Sequence, residues 1–256
     1  MKLYHQLAEY YFAIESNNRN IFDDIDLIRS QVSDIKHPKL LDLGCGTGEH
    51  LEPLAKSGFI CTGIDSSEDM IRIGHSRFPE KIEFIRADMR EISYNEEFDI
   101  IISLFGSMNY LISDDDVNRV FSNIYSALKK NSTALLEIWN SYPISLIKEK
   151  PVSKVSITKY SGTSIERERG FNLMDDETGK TIVEVDYRYI LKGNHAHHDV
   201  FTDKHIMRSF TPEEINPFIV NNGLKMKAVY ANSLKESFQN ISNRMFLVLQ
   251  KKQGSS

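Results

Sequence analysis

Two kinds of hydrophobic pattern alternate along the chain. Leu3, Leu7, Tyr10, Tyr11 and Ile14 recur at three- and four-residue steps and predict a helix over 3–15. Ile21, Ile25, Ile28 and Val32 repeat that spacing. His37-Pro38 stops it, because the residue before a proline is pushed out of helical geometry. Short apolar runs follow: Leu40 to Leu43, FICTGID (59–65), KIEFIRADMREI (81–92), EFDIIISLFGSMNYL (97–111, strand and loop) and TALLEIWN (133–140). Helical stretches such as EHLEPLAK and VNRVFSNIYSALKK lie between them. Continuous apolar runs of this length read as strands buried on both faces, hence a parallel sheet covered by helices. Ile100, Ile101 and Ile102 make the fourth run the most apolar and place it centrally.

From about Pro151 to Phe210 the period shortens to two. VSKVSITKY, TSIERERGFNL, KTIVEVDYRYIL and DKHIMRSF alternate polar with β-branched or aromatic residues, separated by Ser-Gly, Glu-Thr-Gly-Lys and Gly-Asn turns. This predicts an antiparallel meander inserted after the fifth strand. Within it, residues 165–169 (IERER) read as a solvated strand face with cross-strand charge pairs. Thr211-Pro212-Glu213-Glu214 opens a further helix with a cap, a proline in the first turn and an acid at the third position; Asn222-Gly223 ends it. LKMKAVYAN and NRMFLVLQKK form a last hairpin, and Gln253 to Ser256 are expected to fray. The predicted fold is α/β, a doubly wound, mostly parallel seven-stranded sheet with one reversed strand. Residues 1–150 and 211–252 form the main domain, with an N-terminal helical cap at the cleft mouth. Residues 151–210 form an inserted β lid or a homodimer surface.

Composition adds exclusions. The net charge of -5 gives no basic groove for nucleic acid. The 2 cysteines, Cys45 and Cys61, form no CxxC pair and read as reduced and buried. The segment MKLYHQLAEYY lacks an apolar signal core, and no run is long enough to span a bilayer, so a cytoplasmic location without membrane attachment is expected.

The chemistry gathers at the first strand. Gly44, Gly46 and Gly48 follow Leu43 at every second position and precede a helix. Glycines there permit a sharp turn and a close ligand, and a strand, glycine turn and helix start make a nucleotide-binding corner. A dinucleotide fingerprint would need a third glycine at position 49, which is Glu49; here the pattern is GxGxG, with Asp42 two residues before it. Asp65 ends the second strand about 20 residues after the turn, where such sheets place a ribose-binding acid. Ser66 with Asp69 reads as a capping box. Ser113-Asp114-Asp115-Asp116 reads as a helix cap rather than a metal cluster. His195, His197 and His198 in or beside a Gly-Asn turn read as solvated rather than metal-binding.

The run DLGCGTG in this context resembles motif I of the class I S-adenosylmethionine-dependent methyltransferases, which have a Rossmann-like sheet. The DNA-amino methyltransferase run Asn/Asp-Pro-Pro-aromatic is absent. Tyr11, Arg19, Gly44 to Gly48, Asp88-Met89, Phe105 to Leu111, Glu137 to Trp139 and His205 to Thr211 are similar to motifs of small-molecule N-methyltransferases, of the type acting on nucleotide-linked amino sugars. Tyr110, Asn140 and Phe12 depart from that pattern, and glycine and sarcosine N-methyltransferases share the general layout. The resemblance implies S-adenosyl-L-methionine as cofactor, held by Tyr11, Arg19, Asp42, Gly44, Cys45, Gly46, Asp65, Ser66, Met70, Asp88, Met89 and Leu104. Arg19 would pair with the donor's carboxylate, and Asp88 would receive its adenine amino group. Phe105, Asn109, Tyr110, Trp139 and Arg244 would face a small-molecule acceptor. Tyr11 and Tyr110 would orient an acceptor amine, with Tyr110, His205 or water taking its proton. O- or C-methylation of a small metabolite, and non-catalytic binding of the donor or its product, are the alternatives.

Overall fold

The computed structural model describes residues 1–16, 19–80, 82–146, 152–174, 177–193 and 196–251. In chain order the elements are α1 (Tyr11–Glu15), α2 (Ile21–Ser30), β1 (Lys39–Leu43), α3 (Leu51–Lys56), β2 (Ile60–Asp65), α4 (Glu68–Arg77), β3 (Ile82–Arg86), β4 (Phe98–Ser103), α5 (Asp114–Ala127), β5 (Leu128–Trp139), α6 (Ser141–Ser145), β6 (Val152–Tyr160), β7 (Thr163–Met174), β8 (Thr181–Gly193), β9 (Ala196–Ser209), α7 (Pro212–Asn221), β10 (Leu224–Tyr230) and β11 (Arg244–Lys251).

The main sheet has seven strands in the order β10-β11-β5-β4-β1-β2-β3. Among the described residues β11 is the reversed strand of this sheet, pairing antiparallel with both β5 and β10. β4 is buried along its whole length, as its isoleucines require. One apolar layer joins α5 and α7 to one face of the sheet through Val120, Phe121, Ile124 and Ile215. The other joins α2, α3 and α4 through Ile25, Ile28, Leu51 and Ile71. The chain order reverses at β1, between β4 and β2, so a crevice opens at the carboxyl ends of those strands. No helix among the described residues is long and apolar enough to cross a membrane.

The second sheet, β6-β7-β8-β9, is the predicted meander. Its inner face packs Ile165, Val183, Val185 and Met207 against Leu3, Leu7 and Ile14. That contact explains the first departure from expectation. Residues 3–15 form turns, a single 3-10 turn over Ala8–Tyr10 and the five-residue α1 rather than one helix. The Leu3 N–H donates to Asp203 Oδ2 at 3.0 Å, so the segment follows the insertion rather than its own periodicity.

The solvated IERER face is also corrected. Glu166 and Glu168 do point outward and pair with Lys192 and Arg188 across the strands. Ile165 and Arg167, two residues apart, are buried on the other face. Two caps fall as expected: Ser113 accepts from the Asp116 N–H, and Thr211 with Glu214 forms a full capping box. One shifts by a residue. Ser67, not Ser66, caps α4 by accepting from the Met70 N–H, because Ser67 holds the extended geometry a cap needs. His195 and the frayed tail lie outside the described residues, as do the side chains of His197 and His198.

Candidate active site

The glycine turn sits at the carboxyl end of β1. Gly44 and Cys45 both donate their N–H groups to the Ile64 carbonyl at 2.9 Å, locking the turn onto β2. Gly44 has φ +83°, and a Cβ on it would lie 2.5 Å from Ser107 Oγ. Gly46 has φ +56°, and a Cβ there would lie 3.2 Å from the Tyr11 ring. No L side chain fits either position without moving the cleft wall.

Asp65 follows at the end of β2. Its carboxylate accepts from the Ser67 N–H at 2.8 Å and the Gly46 N–H at 3.0 Å, which ties the second strand to the turn. Burial raises its pKa, and those two N–H groups partly oppose the rise. Asp42, one turn deeper, is pushed up to about 7 by burial and by Asp65, against the pull of His50. Asp88 takes a fork from Arg90, with Nε and Nη2 at 2.9 and 2.6 Å, and that partner holds its carboxyl below the usual range. β3 itself ends at Arg86, so Asp88-Met89 stand in the loop beyond the strand.

These groups wall a cavity of about 310 Å³ lined by Gly44, Gly46, Asp65, Ser66, Met70, Asp88, Met89, Phe105, Ser107 and Tyr110, with Tyr4 and Tyr11 completing the wall. A smaller pocket beside it is lined by Tyr11, Glu15, Asp42, Cys45, Glu49, His50 and Leu104. Asp65 and Asp88 suit a nucleoside, as acceptors for hydroxyl and amino hydrogens; the glycines of the turn leave room for the tail attached to it. The donor set therefore fits S-adenosylmethionine.

At the far side of the cavity four side chains form a hydrogen-bonded series. The Tyr4 and Tyr110 hydroxyls are 2.6 Å apart, Tyr110 Oη is 2.6 Å from His205 Nδ1, and His205 Nε2 is 3.1 Å from Asp203 Oδ2. Burial works against the Asp203 charge, but the Leu3 N–H and His205 hold its carboxyl below the usual range. An ionised Asp203 makes Nε2 the protonated nitrogen, so Nδ1 accepts from Tyr110 and Tyr110 accepts from Tyr4. Burial lowers the His205 pKa against the pull of Asp203, favouring the neutral imidazole. Burial raises Tyr4, Tyr11 and Tyr110 well above the ordinary phenol.

Other expected site residues are set apart from the cavity. Arg19 gives Nη1 to Glu137 at 2.5 Å and Nε and Nη2 to Asp24 at 2.8 and 2.7 Å, with its guanidinium 4.4 Å from the Phe105 ring centroid. It lies behind the wall, already paired, because a buried guanidinium requires buried carboxylates. Arg244 reaches the same Glu137 at 2.6 Å and lines a separate surface groove near Asn243, not the acceptor side. Asn109 is fully buried; its amide donates to the Arg208 carbonyl and accepts from the Trp139 N–H. It braces the insertion against β5. Trp139 packs beside Phe171 at 6.4 Å and is likewise outside the cavity lining.

Sequence reasoning missed Tyr4, Asp203 and Ser107. One signal was present for Asp203: it stands two residues before His205 on a strand, so both must share a face.

Comparison with known proteins agrees with this geometry. Residues 40–131 match the family model of a methyltransferase domain. A putative methyltransferase of Geobacillus sp. is 26% identical over 226 residues, 83% of this chain and 84% of that protein. A dTDP-4-amino-2,3,4,6-tetradeoxy-D-glucose N,N-dimethyltransferase of Saccharopolyspora spinosa is 26% identical over 201 residues, 78% and 76% of the two chains. The solved S-adenosylmethionine-dependent methyltransferase of Clostridium acetobutylicum superposes with a TM-score of 0.81 at 18% identity, over 98% of this chain and 99% of that one. The domain match, the relatives and the fold together support a class I S-adenosylmethionine-dependent methyltransferase. The chain is an enzyme of that class, with S-adenosyl-L-methionine as its methyl donor.

Proposed function

We propose that the chain methylates an amine of a small-molecule acceptor held between the glycine turn and the insertion sheet. The observation that carries this reading is the series Tyr4–Tyr110–His205–Asp203, which begins at the cavity wall and ends at a partly buried carboxylate. An amine must lose a proton when it gains a methyl group, and this series is a route for it. S-adenosylmethionine, when bound, supplies a methyl carbon already activated by its sulfonium. The protein has to align the amine and exclude water. Tyr11 and Phe105 supply wall for that, and Tyr110 oxygen faces the amine. The amine proton passes to Tyr110 oxygen as the Tyr110 proton passes to His205 Nδ1, and Asp203 stabilises the imidazolium so formed. The similarity to an amino-sugar N,N-dimethyltransferase supports an amine acceptor. Asp65 and Asp88 hold the donor's nucleoside in this reading, while Arg19 acts on its far end only through Phe105.

Labelled methyl transfer to a panel of amino sugars, amino acids and phenols tests the assignment. Transfer to amines is expected; transfer to phenols with none to amines overturns it.

A further inference from the structure

The inner face of the insertion sheet holds two guanidiniums whose Nε donors find no acceptor among the described residues. Arg167 and Arg169 lie two apart on β7 and share that face. The register sets Arg167 between Ser156 of β6 and Tyr189 of β8, with Arg169 beside Tyr187 in the next row. Arg167 is 3% exposed and pairs with Glu15. Among the described residues its Nε has no partner, and neither does Arg169 Nε, Ser156 Oγ or the Tyr189 hydroxyl, all of them buried atoms. Burial, and next the charge of Arg167, push the Arg169 guanidinium down, with Glu15 pulling the other way.

Interiors rarely leave such groups unmatched, since each unsatisfied donor has given up its bonds to water for nothing, and a buried unpaired charge has given up more. Four orphaned polar atoms in adjacent cross-strand rows, two of them on guanidiniums, are what an oxyanion needs. The patch also borders the reaction site. Glu15 lines the small pocket beside the glycine turn. Tyr189 stacks on Tyr187 at 5.7 Å, and the Tyr187 ring lies 4.7 Å from that of His205.

We propose that this patch is an oxyanion subsite for the acceptor: the amine to be methylated carries a phosphate or carboxylate, which Arg167, Arg169, Ser156 and Tyr189 hold. The inference rests on the amine assignment above and narrows it to anionic amines.

The full chain, saturated with S-adenosylhomocysteine, is titrated with inorganic phosphate and, separately, with acetate, chloride holding the ionic strength constant. Calorimetry should show saturable binding of at least one anion, and the tighter one identifies the acceptor's group. Arg169→Met and Tyr189→Phe should each weaken it at least about tenfold, as expected for a hydrogen bond to a charged group. Both variants should melt in chloride alone no lower than the unsubstituted chain, since each removes an orphan. No saturable binding of either anion, or equal binding by both variants, overturns the inference. So does binding seen only without S-adenosylhomocysteine, because the oxyanion would then be the donor's own carboxylate. Methylation of neutral amines without anion binding leaves the amine assignment standing and removes the subsite alone. Anion binding without amine methylation does the reverse.

Discussion

The two sheets build their halves of the cleft in different ways. On the seven-stranded side the cleft wall is largely backbone: a glycine-rich turn, held by N–H groups of Gly44 and Cys45 and fastened through Gly46 to Asp65. All of this lies within about 25 residues of sequence. On the insertion side the polar contacts rest on side chains, and several join residues far apart in sequence: Tyr110 with His205, the Leu3 N–H with Asp203, Arg167 with Glu15. The first half can change little and still bind the donor. The second can exchange one side chain at a time, which is where acceptor choice is expected to reside.

The sharpest way to separate the halves is His205→Asn. Turnover should fall about 10²–10⁴-fold, the usual worth of a positioned base, with donor affinity by calorimetry unchanged. The pH profile should move with it. Burial lowers the His205 pKa, so the imidazole is the base above that pKa, and activity should be lost as pH falls below the ordinary 6.5. The variant should lack this acid limb; an unchanged limb places the base elsewhere.

Next in size is Glu137→Gln. Glu137 is 1% exposed and accepts from Arg19, Arg244 and the Phe105 N–H, and those two arginines hold its carboxyl below the usual range against burial. Removing its charge leaves both arginines under-compensated and should cost about 3 kcal/mol in the urea midpoint. A stability loss under 1 kcal/mol would show that this network is slack.

Asp65→Ala should weaken donor binding about 10–100-fold while the insertion sheet keeps its amide-exchange protection. Equal loss of protection in both sheets would mean that they do not act as separate halves.

The smallest effect is Asp42→Asn. The folded pKa of about 7 lies above the ordinary 3.8, so the native state binds the extra proton between those values. Stability is therefore fully present below about pH 4 and lost as pH rises toward 7. The amide should remove that slope and raise stability at pH 8, read from the melting temperature across the pH range.

What the sequence disclosed follows the same division. The seven strands, the reversed β11 and the glycine turn were legible because each rests on a local pattern: an apolar run, a cap, a glycine at a fixed step. Thr211 and Glu214 announce their helix within four residues. Arg167 was misread because alternation tells which residues share a face but not which face is inward. Arg244 and Asn109 were misplaced for a related reason. Their partners, Glu137 and the Arg208 carbonyl, lie 107 and 99 residues away, and nothing local names them. The opening segment looked helical until its apolar residues found the insertion, whose packing outweighs a short helix's weak intrinsic preference.

The bond from Leu3 to Asp203 also bears on how the enzyme is made. Its two ends are 200 residues apart. At synthesis rates of about 5–20 residues per second, the opening segment leaves the ribosome roughly 10–40 s before its partner strand exists. Leu3, Leu7 and Ile14 must spend that interval without their final burial. Closure of the cleft between the two sheets therefore waits for β9.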